Sequence, residues 1–199
     1  MDFEAFRVSL LLAAATSLSL LVIGLPIGYW LAFTRSRLRA IVEPVVALPL
    51  VLPPTVLGFC VLLALGPRSP LGRAIEQATG QALVFTFEGL LVASILYSLP
   101  FAVQPFATAF AGVDMRLREA AFCLGASSLG TFFRVILPLS RRGVLAGVIL
   151  SFAHTLGEFG VVLMVGGNIP GVTRTASIAI YDSVQALDYA AAFRTSAVL

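Results

Sequence analysis

No charged residue appears between Arg7 and Arg35. A helix crossing about 30 Å of hydrocarbon needs roughly 20 apolar residues, so this stretch is ample for one membrane span. Tyr29 and Trp30 near its end fit an interfacial aromatic belt, and Arg35, Arg37 and Arg39 follow at once. Gly24, Pro26 and Gly28 lie late in the run and read as close-packing positions or a kink.

The rest of the composition agrees. The chain is 59% hydrophobic and 12% charged, with mean hydropathy +1.00, against about 25% charged in soluble domains. This is a polytopic, all-α membrane protein. All 13 basic residues are Arg. Without Lys there is no Walker A lysine, Schiff-base lysine or lysine general base. If ATP drives this protein, another chain must bind it. The net charge of +3 is spread over connections between spans, which argues against nucleic acid as a partner. Cys60 and Cys123 sit in different environments and read as unpaired; no metal spacing accompanies them.

A second uncharged stretch runs from Glu43 to Arg68 and carries Pro49, Pro53 and Pro54. Each proline removes a backbone donor and disturbs a carbonyl one turn earlier. In hydrocarbon such backbone survives only against protein or a water-filled cavity. This span is therefore expected to face the bundle interior or a translocation path; a purely structural kink is the alternative. Gly66 to Thr86 is a polar connection in which Ser69-Pro70 can start a short helix through Gln77. A third span is expected from Gly89 to Ala111 and a fourth from Gly143 to about Val165. The fourth would carry His154 and Glu158 on one helical face. Gly166 to Thr175 is turn chemistry around Asn168, Pro170 and Gly171. A fifth span could begin near Tyr189 or Ala190, and the ten or so residues left are too few to cross, so the last helix is expected to be incomplete here. The expected architecture is one helical bundle over residues 1–199 of about five spans.

Arginine counts give an orientation. The first-to-second connection has three and residues 112–142 have five, against two and one in the other connections. The positive-inside rule places the first two in the cytoplasm and the N-terminus outside.

Glu119 to Pro138 is the most polar-interrupted segment between apolar spans. It reads as two short helices: Gly125 supplies a left-handed exit from the first, Ser127 or Ser128 caps the second, and Leu137-Pro138 ends it. The pattern Glu119-Ala120-Ala121, Gly125, Val135, Leu137-Pro138 resembles the signature loop of binding-protein-dependent ABC importer permeases, with Val135 where that family usually has Ile. The resemblance implies a coupling helix, within a cytoplasmic loop at 112–142, that docks on a separate ATPase. LPLVLPPTVLGF, Leu48 to Phe59, resembles the second-span motif of molybdate permeases, and LGEFGVVLMVGGNIPGVTRT, Leu156 to Thr175, resembles the oxyanion branch shared by molybdate, tungstate and sulfate permeases, of which the short chain suits the molybdate branch best.

This likeness implies an importer subunit in a bacterial inner membrane. It would work as a homodimer with two cytoplasmic ATPase subunits and a periplasmic oxyanion-binding protein. ATP and Mg would be bound by the ATPase, with no cofactor, metal or catalytic residue in this chain. The implied path and gate are Pro49, Pro53, Pro54, Thr55, Gly157, Glu158 and Gly160. The implied docking surface for the binding protein is Asn168, Pro170, Gly171, Thr173 and Arg174. A tetrahedral dianion can be held by neutral donors and helix N-termini without cations. The competing reading is a proton-coupled secondary transporter using Glu158 and His154.

Overall fold

The computed structural model describes residues 2–199. Helix α1 spans Phe3–Phe33. The Asp2 carboxylate starts it by accepting the Ala5 amide at 3.0 Å, and Glu4 adds negative charge at the positive end of the helix dipole. Pro26 lies inside α1 without ending it.

The second apolar stretch forms α2, Arg39–Ala47, a single tight turn at Leu48–Leu50, and then α3, Pro54–Leu65. The two arms are bent by 111°, so the expected kinked span is a fully broken one. Pro53 and Pro54 are the cause. A residue before proline is pushed out of the helical region, and Pro53 is extended at φ −57°, ψ 137°. Pro54 then opens α3, where a missing N–H costs nothing.

Helix α4, Pro70–Thr79, follows, capped by Ser69, whose hydroxyl accepts the Gly72 amide at 2.7 Å. Helix α5, Phe87–Ala111, contains Pro100 and Pro105 and is capped by Thr86. Helices α6, Met115–Cys123, and α7, Ser128–Thr131, form the following loop.

Two expectations for the next segment are overturned. Leu137-Pro138 does not end a helix, and the fourth span does not start at Gly143. A wide π turn at Phe132–Ile136 joins α7 to α8, Leu137–Leu156, giving one 29-residue apolar rod over Ser128–Leu156. The Leu137 amide reaches back to the Phe132 carbonyl. This wider turn brings Pro138 into the helix as one of its first residues, where its ring and missing donor are tolerated. The rod also stops earlier than expected, at Leu156, before a break and α9, Gly160–Gly166. Helix α10, Ala176–Gln185, and α11, Tyr189–Ser196, complete the chain. The Asp188 carboxylate caps α11 by accepting the Ala191 amide at 2.9 Å, at the position expected for a fifth span to begin.

Among the described residues, three helices are long and apolar enough to cross a membrane, four if α2 and α3 count as one span. The core lies where α1, α5 and α8 meet, around the fully buried Phe106. A Cβ on Gly28 of α1 would lie 2.9 Å from Phe106 Cβ, and one on Gly147 of α8 would lie 2.5 Å from Phe106 Cε1. Glycine on both sides lets three backbones close on one aromatic ring, the small-residue packing that bilayers favour. Gly24 also faces Phe106, so the late glycines of α1 are packing positions.

The contacts sort the connections to two ends. Arg174 pairs with Asp2 at 3.7 Å, so the N-terminus and the α9–α10 loop share one end. Phe33 lies under the Arg118 guanidinium at 4.6 Å, so the end of α1 and α6 share the other.

Candidate functional site

Three groups of expected site residues occupy distinct levels of the molecule. The first is the α6–α7 loop. Asp114 caps α6 by accepting the Arg116 amide at 2.9 Å, and no residue of α6 is buried. Glu119 and Ala120 are exposed, with Ala121 half-buried beside them. Gly125 has φ +82°. Its amide donates to the Phe122 carbonyl at 2.9 Å, and the Ala126 amide donates to the Ala121 carbonyl at 3.0 Å. These paired bonds with a left-handed glycine make a Schellman exit. Ser127, rather than Ser128, caps α7, accepting the Gly130 amide at 3.1 Å. The motif therefore divides. Glu119 to Gly125 present a stiff exposed helix end, whereas Val135, Leu137 and Pro138 belong to the π turn and the start of α8.

The second group lies at the two helix breaks. A Cβ on Gly160 would sit 2.8 Å from Pro54 Cβ and 3.5 Å from the Thr55 amide nitrogen, so α3 and α9 start side by side. Pro53, Pro54, Thr55 and Gly157 are exposed at this junction. Pro49 is buried in the turn before it and does not share that surface. Glu158 is 7% exposed, and its Oε1 accepts the Val161 amide at 2.8 Å, capping α9. Its carboxyl oxygen thus occupies the start of α9, while the start of α3 keeps its partial positive charge beside Thr55. The α3 start therefore presents its N-terminal amides at an exposed surface.

His154 and Glu158 do not share a helical face, because α8 ends at Leu156 and Gly157 turns the chain. His154 faces α5 instead. Its Nδ1 lies 3.0 Å from the Ser98 hydroxyl, Ser98 lies 2.9 Å from the Thr155 hydroxyl, and Phe101 stacks on the imidazole at 3.8 Å. Glu158 is engaged with the α9 amides. The two groups that the competing reading would use as a proton relay thus have separate tasks, one joining α8 to α5 and the other capping α9.

The third group is the α9–α10 loop. Arg174 donates to Asn168 Oδ1 at 2.6 Å and pairs with Asp182 at 3.5 Å, and Asn168 Nδ2 donates to Asp182 at 2.8 Å. Thr173 is fully buried; its hydroxyl donates to the Gly166 carbonyl at 2.7 Å and accepts the Ile169 amide at 3.1 Å. It shapes the loop from within. Pro170 and Gly171 form the exposed tip, with Ile169 and Val172.

Sequence reasoning passed over Arg118. Its guanidinium lies over Phe33 at 4.6 Å and over Phe122 at 5.6 Å. The Phe122 contact is an i, i+4 pair that spacing could have revealed; the Phe33 contact depends on the fold.

Residues 24–199 match the family described as the binding-protein-dependent transport system inner membrane component. The chain is 53% identical over 191 residues to the molybdenum transport system permease protein ModB of Azotobacter vinelandii, covering 96% of this chain and 84% of that protein. It is 36% identical over 181 residues to ModB of Escherichia coli K12, covering 89% and 79%. It is also 37% identical over 161 residues to a probable sulfate transport system permease protein, cysT, of Prototheca wickerhamii, covering 81% and 63%.

Proposed function

The chain belongs to the family of binding-protein-dependent transport system inner membrane components, and from that membership we propose that it is the transmembrane subunit of an ATP-driven importer for molybdate. The observation that carries the substrate is the 53% identity, over 96% of the chain, to a molybdenum permease. The chain is a transport subunit; hydrolysis falls to a separate cytoplasmic ATPase.

In this reading two copies face each other across their broken second spans, and the anion passes the junction of Pro53, Pro54 and Thr55 with Gly157 and Gly160. The N-terminus lies outside. The α9–α10 loop, with Pro170 and Gly171 at its tip, receives the oxyanion-binding protein, while Arg174 and Asn168 keep the loop in shape. The 112–142 loop receives the ATPase on Glu119, Ala120 and Ala121. The rod from Ser128 to Leu156 supports this division of labour. Its 29 residues extend about 43 Å at 1.5 Å per residue, so one continuous helix links the coupling loop to the break at Gly157. A displacement imposed at α6 is carried along it, with α5 moving in step through the Ser140 hydroxyl on the Ala109 carbonyl at 3.1 Å.

The test is uptake of radiolabelled molybdate into proteoliposomes holding the permease, its ATPase and the binding protein. Uptake should require ATP and all three components, and excess sulfate should leave it unchanged. Uptake driven by a proton gradient without the ATPase would sink this reading. The committed geometry of His154 and Glu158 gives that alternative no support.

A further inference from the structure

A pocket of about 290 Å³ lies between the end of α1 and the outer face of α6, lined by Phe33, Arg35, Met115, Arg118, Glu119 and Phe122. We propose that it is a carboxylate socket, built around Arg118, that receives an acidic side chain of the ATPase. This rests on the reading of α6 as the ATPase-docking helix.

The chemistry starts from a donor left unmet. Arg118 Nε is buried and finds no hydrogen-bond acceptor within the chain. The neighbour of Nη1 is the Met115 sulfur at 3.9 Å, a weak acceptor. The guanidinium carbon lies over the Phe33 ring at 4.6 Å and over the Phe122 ring at 5.6 Å. Such contacts consume none of the N–H groups. The result is a guanidinium whose donors are not saturated within the chain, the kind of group that a carboxylate pairs with.

The charges around it agree. Among the described residues, the ion pairs engage Arg39 and Arg174, leaving Arg35 and Arg118 unpaired. Glu119 lines the same pocket and pairs with neither. Two cations against one carboxylate leave the lining one positive charge in excess. A singly charged carboxylate matches that excess; a phosphate dianion would leave Glu119 facing an uncompensated charge. The pocket is lined by exposed Glu119, on the helix that the docking reading gives to the ATPase. Occupation would fasten α6 to the end of α1 and to the ATPase at the same point.

The experiment measures ATPase association with the permease homodimer in detergent and in nanodiscs, across a salt series. Arg118→Gln should weaken association about ten- to hundredfold, the loss expected of a charge-assisted hydrogen bond, and should flatten the salt dependence. Arg118→Lys should recover part of the loss. Arg116→Gln removes the same charge from an exposed residue outside the pocket and should change association less than threefold. Equal losses for Arg118→Gln and Arg116→Gln would overturn the socket, because overall charge would then suffice. A loss confined to nanodiscs with anionic phospholipid would overturn it too, assigning the pocket to lipid phosphate. If Arg118→Gln fails to insert, Arg35→Gln carries the test, with a several-fold loss expected and no loss refuting it. If the unaltered permease binds no ATPase, the coupling reading itself fails; if it binds and the variants are silent, only the socket does.

Discussion

Gly125 offers a graded test of whether the coupling loop works as a rigid contact. Its φ of +82° lies in the left-handed region, and a Cβ built there meets no heavy atom within 4 Å. The cost of a side chain is therefore conformational and not steric. For Ala that cost is about 1–2 kcal/mol. Asn tolerates the region better, and Val, branched at Cβ, tolerates it worst. If the variant keeps the turn, it bears this cost in the folded state. If it relaxes, it gives up the amide bonds to Phe122 and Ala121 at 2.9 and 3.0 Å, each worth about 0.5–1.5 kcal/mol net. Keeping the turn thus takes about 1–2 kcal/mol and relaxing it about 1–3 kcal/mol from the docking-ready geometry, and a loss of about 1–2 kcal/mol is a factor of about 5–30 in ATPase affinity. Association measured on the purified permease should fall in the order Gly, Asn, Ala, Val, and molybdate uptake should follow it. Insertion and dimerisation should be unaffected, because α6 buries no residue against the bundle. If Gly125→Val binds ATPase and transports as well as the unaltered protein, the rigid-exit argument is wrong.

Other expectations follow from single contacts. Phe106→Ala should destabilise the permease by about 3–5 kcal/mol, read as a lowered thermal midpoint in detergent, since Phe106 is fully buried between α1, α5 and α8. Glu158→Gln keeps an acceptor for the Val161 amide and should preserve uptake, whereas Glu158→Ala leaves that amide unmet at about 1–3 kcal/mol; abolition of uptake by the Gln variant would restore the proton-relay reading. With Cys60 and Cys123 removed, a cysteine at position 171 should react with an impermeant reagent added to intact cells and one at position 37 should not; the reverse would invert the topology.

Much of this fold is legible in the residues. The charge-free runs delimit α1 and α5 to within a few residues, since charge is costly in hydrocarbon. Ser69, Ser127 and Gly125 act locally, so their caps and turn can be read directly. The failures lie where a local signal competes with a wider one. Pro138 reads as a stop in an α-helix, and the π turn before it, driven by the packing of Phe132 and Ile136 into the core, is invisible to residue spacing. The break at Gly157 hides because apolar residues continue on both sides and the i, i+4 spacing of His154 and Glu158 imitates a helix face. The Phe33 contact of Arg118 needs the fold itself, whereas the Glu158 cap is an i, i+3 contact that becomes legible once the break at Gly157 is known.

The π turn at Phe132–Ile136 has a consequence for phase. An α-helix advances about 100° per residue, and one residue beyond the α count puts everything before it out of step with everything after by that angle. Ser128 and Leu129 therefore point where a straight helical wheel drawn from α8 would not put them. Deleting one residue from the turn would leave a helix that is still continuous, apolar and able to span the bilayer. It would also swing the coupling loop about a quarter-turn around the rod's axis. Such a protein should insert and dimerise normally while presenting Glu119 and Ala120 in the wrong azimuth, separating the existence of the docking surface from its aim.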